Sequence, residues 1–431
     1  MIYMKKNIQP SEKNIISCRP NRQLVDKFQS ERRLILKNYY TIYRAVSYNK
    51  SARNRVWIKL MKKAFRIIMD AYRPGMKEEK YKLLVSIEIA SIVAEKFQLG
   101  AQPIICILLK YAIKKKKISK IEVKKEFGEA IADIVTALLR ADVTNQQRGP
   151  LFHLKHVLKY FSPEHLIVVV IKLAEHLHKM YLIDKLSQKE QLALLELSKR
   201  VYIALAHNMG IDSVYLELED LYLNFKHPIV YDTILKKIKA SKATKRGFLE
   251  RFAKKICHLV DPEKKMIRIK GRTKSISSIS HKVQVRNIPF DSIYDFYAIR
   301  IVFDCQPGQE YGFCWTIYES IVTHYEPKVT YLRDWVSYPT ATGYEALHIS
   351  VKAQEEDQWI EVQIRAKDMD DNAELGDAAH WKYKCSKLGK EFEKMDKTWL
   401  DKARKFLNAQ KFKNIDGNIF ITVGHAYIQE E

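Results

Sequence analysis

The spacing of apolar residues changes once along this chain, and that change divides what it can fold into. From about residue 30 to residue 245 apolar side chains recur three and four apart, with few glycines or prolines between them, as in IEIASIVAEKF (87–97) and HLIVVVIKLAEHLHKMYLI (165–183). That spacing belongs to helices with a buried face. After about residue 265 the period shortens to two, with helical stretches between the alternating segments, as in strands. The pattern predicts an all-helical domain first and an α+β domain second, joined by the helical region VYLELEDLYLNF (214–225) and the residues that continue it. No internal repeat is present.

At 431 residues and 47% hydrophobic content the chain is long enough for two or three cored domains. Seventy-five Lys and Arg against fifty Asp and Glu leave a formal charge of +25, a field that draws in polyanions such as nucleotides, RNA or acidic membrane surfaces. The six cysteines (Cys18, Cys106, Cys257, Cys305, Cys314 and Cys385) include no CxxC pair, which argues against a zinc knuckle or a disulfide framework and for a reducing cytoplasm. The first twenty residues lack the apolar core of a signal peptide, and no apolar run reaches the length of a membrane span. A soluble, cytoplasmic protein is expected. The run KKKK at 114–117 reads as a solvated loop or helix end.

GRTKSISSISHK (271–282) packs three cations and five hydroxyls around two isoleucines. As a helix from Thr273 onward it places Ile276, Ile279 and Val283 on one face and Lys274, Ser278 and Lys282 on the other. Gly271 then supplies a flexible entry, and Arg272 sits at the positive end of the helix dipole. Such a stripe suits a polyphosphate; it also suits an ordinary amphipathic helix with a wet basic face. In SIYDFYAIRIVFD (292–304), Ile299, Ile301 and Phe303 alternate with Arg300, Val302 and Asp304, and Asp295 stands at the strand's mouth. HISVKA (348–353) and WIEVQIRA (359–366), separated by QEEDQ, form a hairpin pattern. Pairing equal faces gathers His348, Ser350, Glu361, Gln363 and Arg365 on one side, with Ile349, Val351, Ile360, Val362 and Ile364 on the core side. A half-exposed sheet bears such a polar face in any case. Two carboxylates, Asp295 and Glu361, near a cationic stripe nevertheless suit a magnesium-nucleotide site.

The words GRTKSISSISHK, YDFYAIRIVFD, RDWVSYPTATGYEALHISV, EVQIR and AELGDAAHWKYK, in this order and spacing, resemble the RelA/SpoT homologues, which make and degrade the alarmones ppGpp and pppGpp. The resemblance implies a nucleotidyltransferase-like synthetase domain that moves the β,γ-pyrophosphate of ATP to the 3′-hydroxyl of GDP or GTP and releases AMP, with Mg²⁺ as cofactor and the ribosome or tRNA as further partners. It implies that Arg272, Lys274, Ser278, Lys282 and Arg300 bind ATP. Tyr344, as a stacking platform, would face the acceptor guanine nucleotide together with His348, Gln363 and Arg365. Asp295 and Glu361 would be the catalytic and metal-binding carboxylates, with Glu361 preparing the 3′-hydroxyl. Where the family often has PKxNGY this chain has PTATGY, with Thr340 and Thr342, and YLRD (331–334) matches neither form of the acceptor-preference motif. GDP, GTP or another acceptor such as tRNA therefore all stay open.

The helical half resembles the same family's HD-type hydrolase, whose words HPLxVA, LLHDVVED and KLADRLHNM correspond here to VSIEIA (85–90), LLKYAIKK (108–115) and KLAEHLHKM (172–180). By that resemblance Val85, Lys110 and Tyr111 stand at the metal-ligand positions and Lys114 and Lys115 replace two acids. Glu175 stands for an Asp, and Lys179 for an Asn. Lysines repel a divalent cation, so no metal is expected there and hydrolysis is expected to be lost. His176 and His178 read as packing or surface residues.

The implied organisation is an N-terminal extension (1–45), the helical domain (46–200), a helical connector (201–245), the synthetase domain (246–390) and a C-terminal extension (391–431). The last of these, ending DGNIFITVGHAYIQEE, resembles the opening of the family's TGS domain. A non-catalytic guanine-nucleotide or alarmone-binding regulator is the competing reading, and RNA binding has only the net charge behind it. Oligomeric state is not given by the sequence.

Overall fold

The computed structural model describes residues 22–47, 52–70, 77–97, 99–143, 166–209, 211–240, 247–261, 267–285, 287, 289–290, 293, 296–341, 343–354, 357–375 and 419–422. Its first half is helical, as the apolar period requires. The helix Leu166–Tyr181 is apolar nearly all round and is buried at thirteen of its sixteen positions, as a central helix must be. Against it and its neighbours pack the helices Ala52–Asp70, Lys77–Ile92, Ala101–Lys114 and Glu129–Val143, with a shared core from Ile42 to Leu218. Local chemistry sets the breaks. Ala101–Lys114 ends where Lys116 takes φ 55°, so the four lysines form a helix end. The next helix starts in a capping box between Ser119 and Glu122 and stops at Gly128, φ 93°. Ile42 and Val46 lie in the same core on the helix Arg22–Ser47, so part of what the sequence leaves in an N-terminal extension is packed into the helical body.

The helix Asp212–Lys226, hereafter the bridge helix, has Val214 and Leu218 in that core, while Leu223 packs against a second cluster. That cluster joins Ile234 and Ile238 of the helix Pro228–Ala240 to Ile276 and Ile279 of the helix Ile276–Val285, the clamp helix, with Val283 packed against them. The apolar side of the 276–283 segment is thus the side that the spacing assigns.

The α+β half is built on a mixed six-stranded sheet of order β3-β4-β5-β2-β1-β6. The strands are β1 (Ile267–Thr273), β2 (Tyr297–Phe303), β3 (Arg333–Asp334), β4 (Leu347–Ala353), β5 (Gln358–Ala366) and β6 (Ile419–Thr422). β4 and β5 form the expected antiparallel hairpin, with Ser350 opposite Glu361 and His348 opposite Gln363. β5 then pairs in parallel with β2, which runs antiparallel to β1. One face is wholly apolar. Ile269, Ile299, Ile301, Ile349, Val351, Ile360, Val362 and Ile364 are fully buried there against the helices Phe248–Val260 and Glu310–His324.

One expectation is corrected. The helix does not start at Thr273: Gly271, Arg272 and Thr273 end β1, and the helix begins at Ile276. The alternation of Ile267, Ile269 and Gly271 as buried positions carries the strand onward. The Lys274 amide donates to the Phe296 carbonyl at 2.9 Å, and Ser275 serves as the cap, its hydroxyl accepting the Ser278 N–H at 3.2 Å. Gly271 is therefore a paired strand residue rather than a flexible entry, and Arg272 projects from a strand rather than a helix end. IFIT, within the final stretch, pairs in parallel with β1, Ile269 opposite Ile419, and so extends this sheet.

Ile364 tests the sheet's apolar face. Ile364→Ala, at a fully buried site in β5, should lower stability by about 2–5 kcal/mol, read from the urea midpoint of the α+β half; a loss below about 1 kcal/mol would contradict the packing described.

Candidate active site

The opposite face of the sheet is polar across its width. Pairing aligns Lys270, Arg300, Gln363, His348 and Arg333 in one row, and Arg272, Ala298, Glu361 and Ser350 in the next. Arg268, Val302 and Arg365 form a third. Period-two alternation puts all of these on the side away from the isoleucines. At its centre this face is not the solvated surface that a half-exposed sheet would carry: His348, Ser350, Gln363 and Arg365 are all buried.

Five side chains close a ring there. Glu361 Oε1 lies 3.3 Å from His348 Nδ1, and His348 Nε2 lies 2.9 Å from the Tyr344 hydroxyl. Arg365 Nη2 donates to that hydroxyl at 3.0 Å and to Gln363 Oε1 at 3.1 Å. Gln363 Nε2 donates to Glu361 Oε2 at 2.8 Å, which closes the circuit. The Glu361 carboxylate only accepts, so His348 Nδ1 carries a proton toward it; in the neutral imidazole Nε2 is then an acceptor and takes the Tyr344 hydroxyl proton, while that hydroxyl oxygen accepts from the Arg365 guanidinium. Burial pushes the imidazole below its usual value, against the pull of Glu361, in keeping with that assignment. Burial likewise raises Tyr344.

Tyr344 is held on several sides. Its ring lies 5.2 Å from the Arg365 guanidinium and meets Trp335 edge-on at 5.5 Å, and Trp335 also meets His348 at 4.8 Å. Behind it, Gly343 takes φ 71°, a conformation that glycine adopts at little cost. Thr340 Oγ1 accepts the Tyr344 N–H at 3.0 Å, and Asn372 donates to the Gly343 carbonyl at 3.0 Å. Thr342 lies outside the described residues.

A second carboxylate, missed from the sequence, balances the cations. Asp370, on the helix Lys367–Leu375 next to β5 in the chain, is 5% exposed and accepts from Lys270 Nζ at 2.8 Å and Arg300 Nη1 at 3.0 Å; Arg365 Nη1 lies 3.4 Å away. Its signal was faint, because an acidic first turn after a strand looks like ordinary helix capping. Lys270 was legible, standing two residues before Arg272 on the same face.

Of the sequence-predicted donor residues, Arg272 is exposed on β1, Arg300 is partly buried on β2, and Lys274, Ser278 and Lys282 are partly buried at and along the clamp helix. Only Ser278 and Lys282 share that helix, and the Ser278 hydroxyl is 2.8 Å from Ser275 Oγ. The charges of Arg365, Arg300, Glu361 and Arg272 all act on the Tyr344 hydroxyl, so β1, β2, β5 and the Tyr344 loop meet at one site. Asp295 lies outside the described residues, as does most of AELGDAAHWKYK. Among the described residues no three His, Cys, Asp or Glu side chains gather as a metal site. Glu361 is the hard oxygen donor that faces the polar row.

The helical body holds a charged cluster of its own. Lys110 Nζ donates to Asp142 at 3.0 Å and to Glu175 at 2.5 Å; Lys172 Nζ donates to the same two acids at 2.5 and 2.8 Å; Lys114 pairs with Asp142. Burial favours the neutral forms, yet Lys172 and Lys110 hold both acids well below the carboxylate range, and the acids hold Lys172 above the lysine range. Val85 and Tyr111 pack in the core, Lys115 is partly buried and Lys179 is exposed. His176 stacks on Tyr202 at 3.9 Å, and His178 contacts Glu88 at 2.7 Å; both histidines are buried. Asp142 and Lys172 were missed from sequence. No described helix is long and apolar enough to cross a membrane.

Comparison with known proteins matches two family models. The HD domain covers residues 64–212, and the region found in RelA/SpoT proteins covers residues 271–388. The guanosine-3′,5′-bis(diphosphate) 3′-pyrophosphohydrolase of Spiroplasma citri is 25% identical over 76% of this chain and 43% of its own length. The bifunctional (p)ppGpp synthase/hydrolase SpoT of Escherichia coli K12 is 26% identical over 76% and 46%, and the GTP pyrophosphokinase of Haemophilus influenzae is 27% identical over 75% and 44%. The chain thus spans less than half the length of these curated relatives. Among solved structures, the small alarmone synthetase 1 of Bacillus subtilis aligns over 39% of this chain and 90% of its own, at 17% identity and a TM-score of 0.29.

The ring makes a pH prediction. Folded His348 has the lower pKa, so just below the unfolded value near 6.5 the unfolded chain binds more protons. The His348 contribution is fully present above about 6.5 and is lost as pH falls from there toward the folded value. His348→Asn should flatten that slope in urea unfolding measured from pH 8 to 5; an unchanged slope would place His348 outside the ring.

Proposed function

As a member of the RelA/SpoT family with its HD domain first and its RelA/SpoT region second, this chain is, we propose, a synthesis-only alarmone enzyme. It transfers the β,γ-pyrophosphate of ATP to the 3′-hydroxyl of GDP or GTP and releases AMP. The observation that carries this reading is the polar face, buried at its centre, on which Glu361, the Tyr344–His348–Gln363–Arg365 ring and the cations of β1 and β2 lie together.

Pyrophosphoryl transfer asks a protein mainly for in-line positioning and neutralisation of oxygen charge. Arg272, Arg300, Lys274 and Lys282 would take the donor phosphates, as guanidinium and ammonium groups do. Tyr344 would carry the acceptor base, with its ring braced by Trp335 and Arg365. Glu361, an acceptor of two hydrogen bonds, would take or orient the 3′-hydroxyl proton. Its carboxylate, with Asp295, suits Mg²⁺, which favours one or two carboxylates alongside phosphate oxygens. When bound, that ion would offset charge on the transferring phosphoryl groups.

We infer that hydrolysis is lost. Several relatives are named pyrophosphohydrolases, and the acids present here, Asp142 and Glu175, are each held by two or three lysines. A divalent cation would have to displace ammonium groups already neutralising them.

Incubation with ATP, Mg²⁺ and GDP or GTP should yield AMP one for one with a more highly phosphorylated guanine nucleotide. Glu361→Gln and Asp295→Asn should each cut the rate by about 100-fold or more, with the melting temperature kept. Full turnover in either variant would remove that carboxylate from the mechanism, and AMP formed only with tRNA would move the acceptor to RNA. With ppGpp and Mn²⁺, no pyrophosphate should appear; steady release would overturn the loss of hydrolysis.

A further inference from the structure

The amides at the N-terminus of the clamp helix are already bound by an acid from the helical half. Asp220, on the bridge helix and 8% exposed, accepts the Ser277 N–H through Oδ1 at 2.7 Å. The Ile276 amide and the Ser277 hydroxyl act on the same carboxylate. Ser275 takes the next amide, Ser278, and its hydroxyl lies 3.0 Å from that of Ser277. The first turn therefore has a protein partner for each of three successive amides. A free helix N-terminus is a ready phosphate site; here the anion is internal.

Asp220 belongs mechanically to the helical body. Leu218, two residues earlier, is fully buried in the helical core, which ties the carboxylate's backbone to that core. Burial raises Asp220 to about 6, with the Ser277 and Ile276 groups opposing the rise, which leaves it charged at neutral pH.

We propose that Asp220 is a positioning residue for the pyrophosphate donor. It seats the first turn of the clamp helix on the helical body, sets Ser278 and Lys282 relative to Arg272 on β1, and reserves the helix-terminal amides. A polyphosphate then binds this region through side-chain cations and not through the helix end. The proposal rests on the donor-site reading under Proposed function.

Two measurements on the full chain separate it from that reading. Hydrogen exchange across residues 275–279 reports the seat without any ligand, and titration with α,β-methylene-ATP reports the donor site without turnover. Asp220→Ala should raise exchange at the Ser277 amide by about ten- to a hundredfold, the effect of losing a charged hydrogen bond. It should weaken the analogue by about tenfold or more and leave GDP binding unchanged. Asp220→Asn keeps one acceptor oxygen and should fall between. Unchanged exchange would overturn the seat, and faster exchange with undiminished analogue affinity would overturn the positioning role. Tighter analogue binding would mean that Asp220 competes with phosphate, and equal weakening of GDP would mean general damage; either contradicts the proposal. If the unaltered chain binds no analogue, the donor-site reading fails and the donor part of this proposal falls with it, whatever exchange shows.

Discussion

The α+β half depends on keeping Arg365 charged at 2% exposure in the middle of a sheet. An isolated guanidinium there would cost several kcal/mol in lost hydration, and its Nη atoms meet acceptors on three neighbours, Tyr344, Gln363 and Asp370. Gln363 turns its amide oxygen to the guanidinium, which leaves its nitrogen for Glu361. The Tyr344 hydroxyl accepts from Arg365 and hands its proton to His348. Asp370 brings a full negative charge and shares it with Lys270 and Arg300. The donor-only Arg365 and the acceptor-only Glu361 together set the orientations between them, with Glu361 the acceptor of two donors.

What the sequence made legible was whatever period two or period 3.6 can encode. The two faces of the hairpin, with Glu361, Gln363 and Arg365 on the side of His348 and Ser350, came from alternation alone, and so did the inward Ile276, Ile279 and Val283 of the clamp helix. GRTKSISSISHK misled because a strand end and a helix start meet within four residues there, and serine is at home at a cap as well as on a wet face. Asp370, Asp142 and Asp220 escaped because each has a partner 30 to 100 positions away. No local spacing marks an acid whose partners lie in another element.

The helical body solves its electrostatic problem by a different device. Two acids buried close together repel one another, and a bridging divalent ion is one way to hold them. Lys110 and Lys172 achieve the same neutralisation with covalently tethered ammonium groups, each spanning both Asp142 and Glu175. The arrangement ties three helices together and uses the acids' lone pairs in doing so. The bridge helix is anchored in the same core through Val214 and Leu218, the latter two residues before Asp220.

The altered acceptor loop bears on what part of the site can vary. PTATGY departs from the pattern it resembles at Thr340 and Thr342, yet Tyr344 is still fixed from both directions: its amide by Thr340 Oγ1, and its hydroxyl by Arg365 and His348. Thr340, one of the two altered positions, thereby fixes the Tyr344 backbone from within the loop, and the Gly343 carbonyl is held independently by Asn372. The hydroxyl end of the ring depends on buried residues of β4 and β5 and not on the loop. Substitution at Thr340 therefore acts on the Tyr344 backbone, while the hydroxyl stays where the buried arginine sets it.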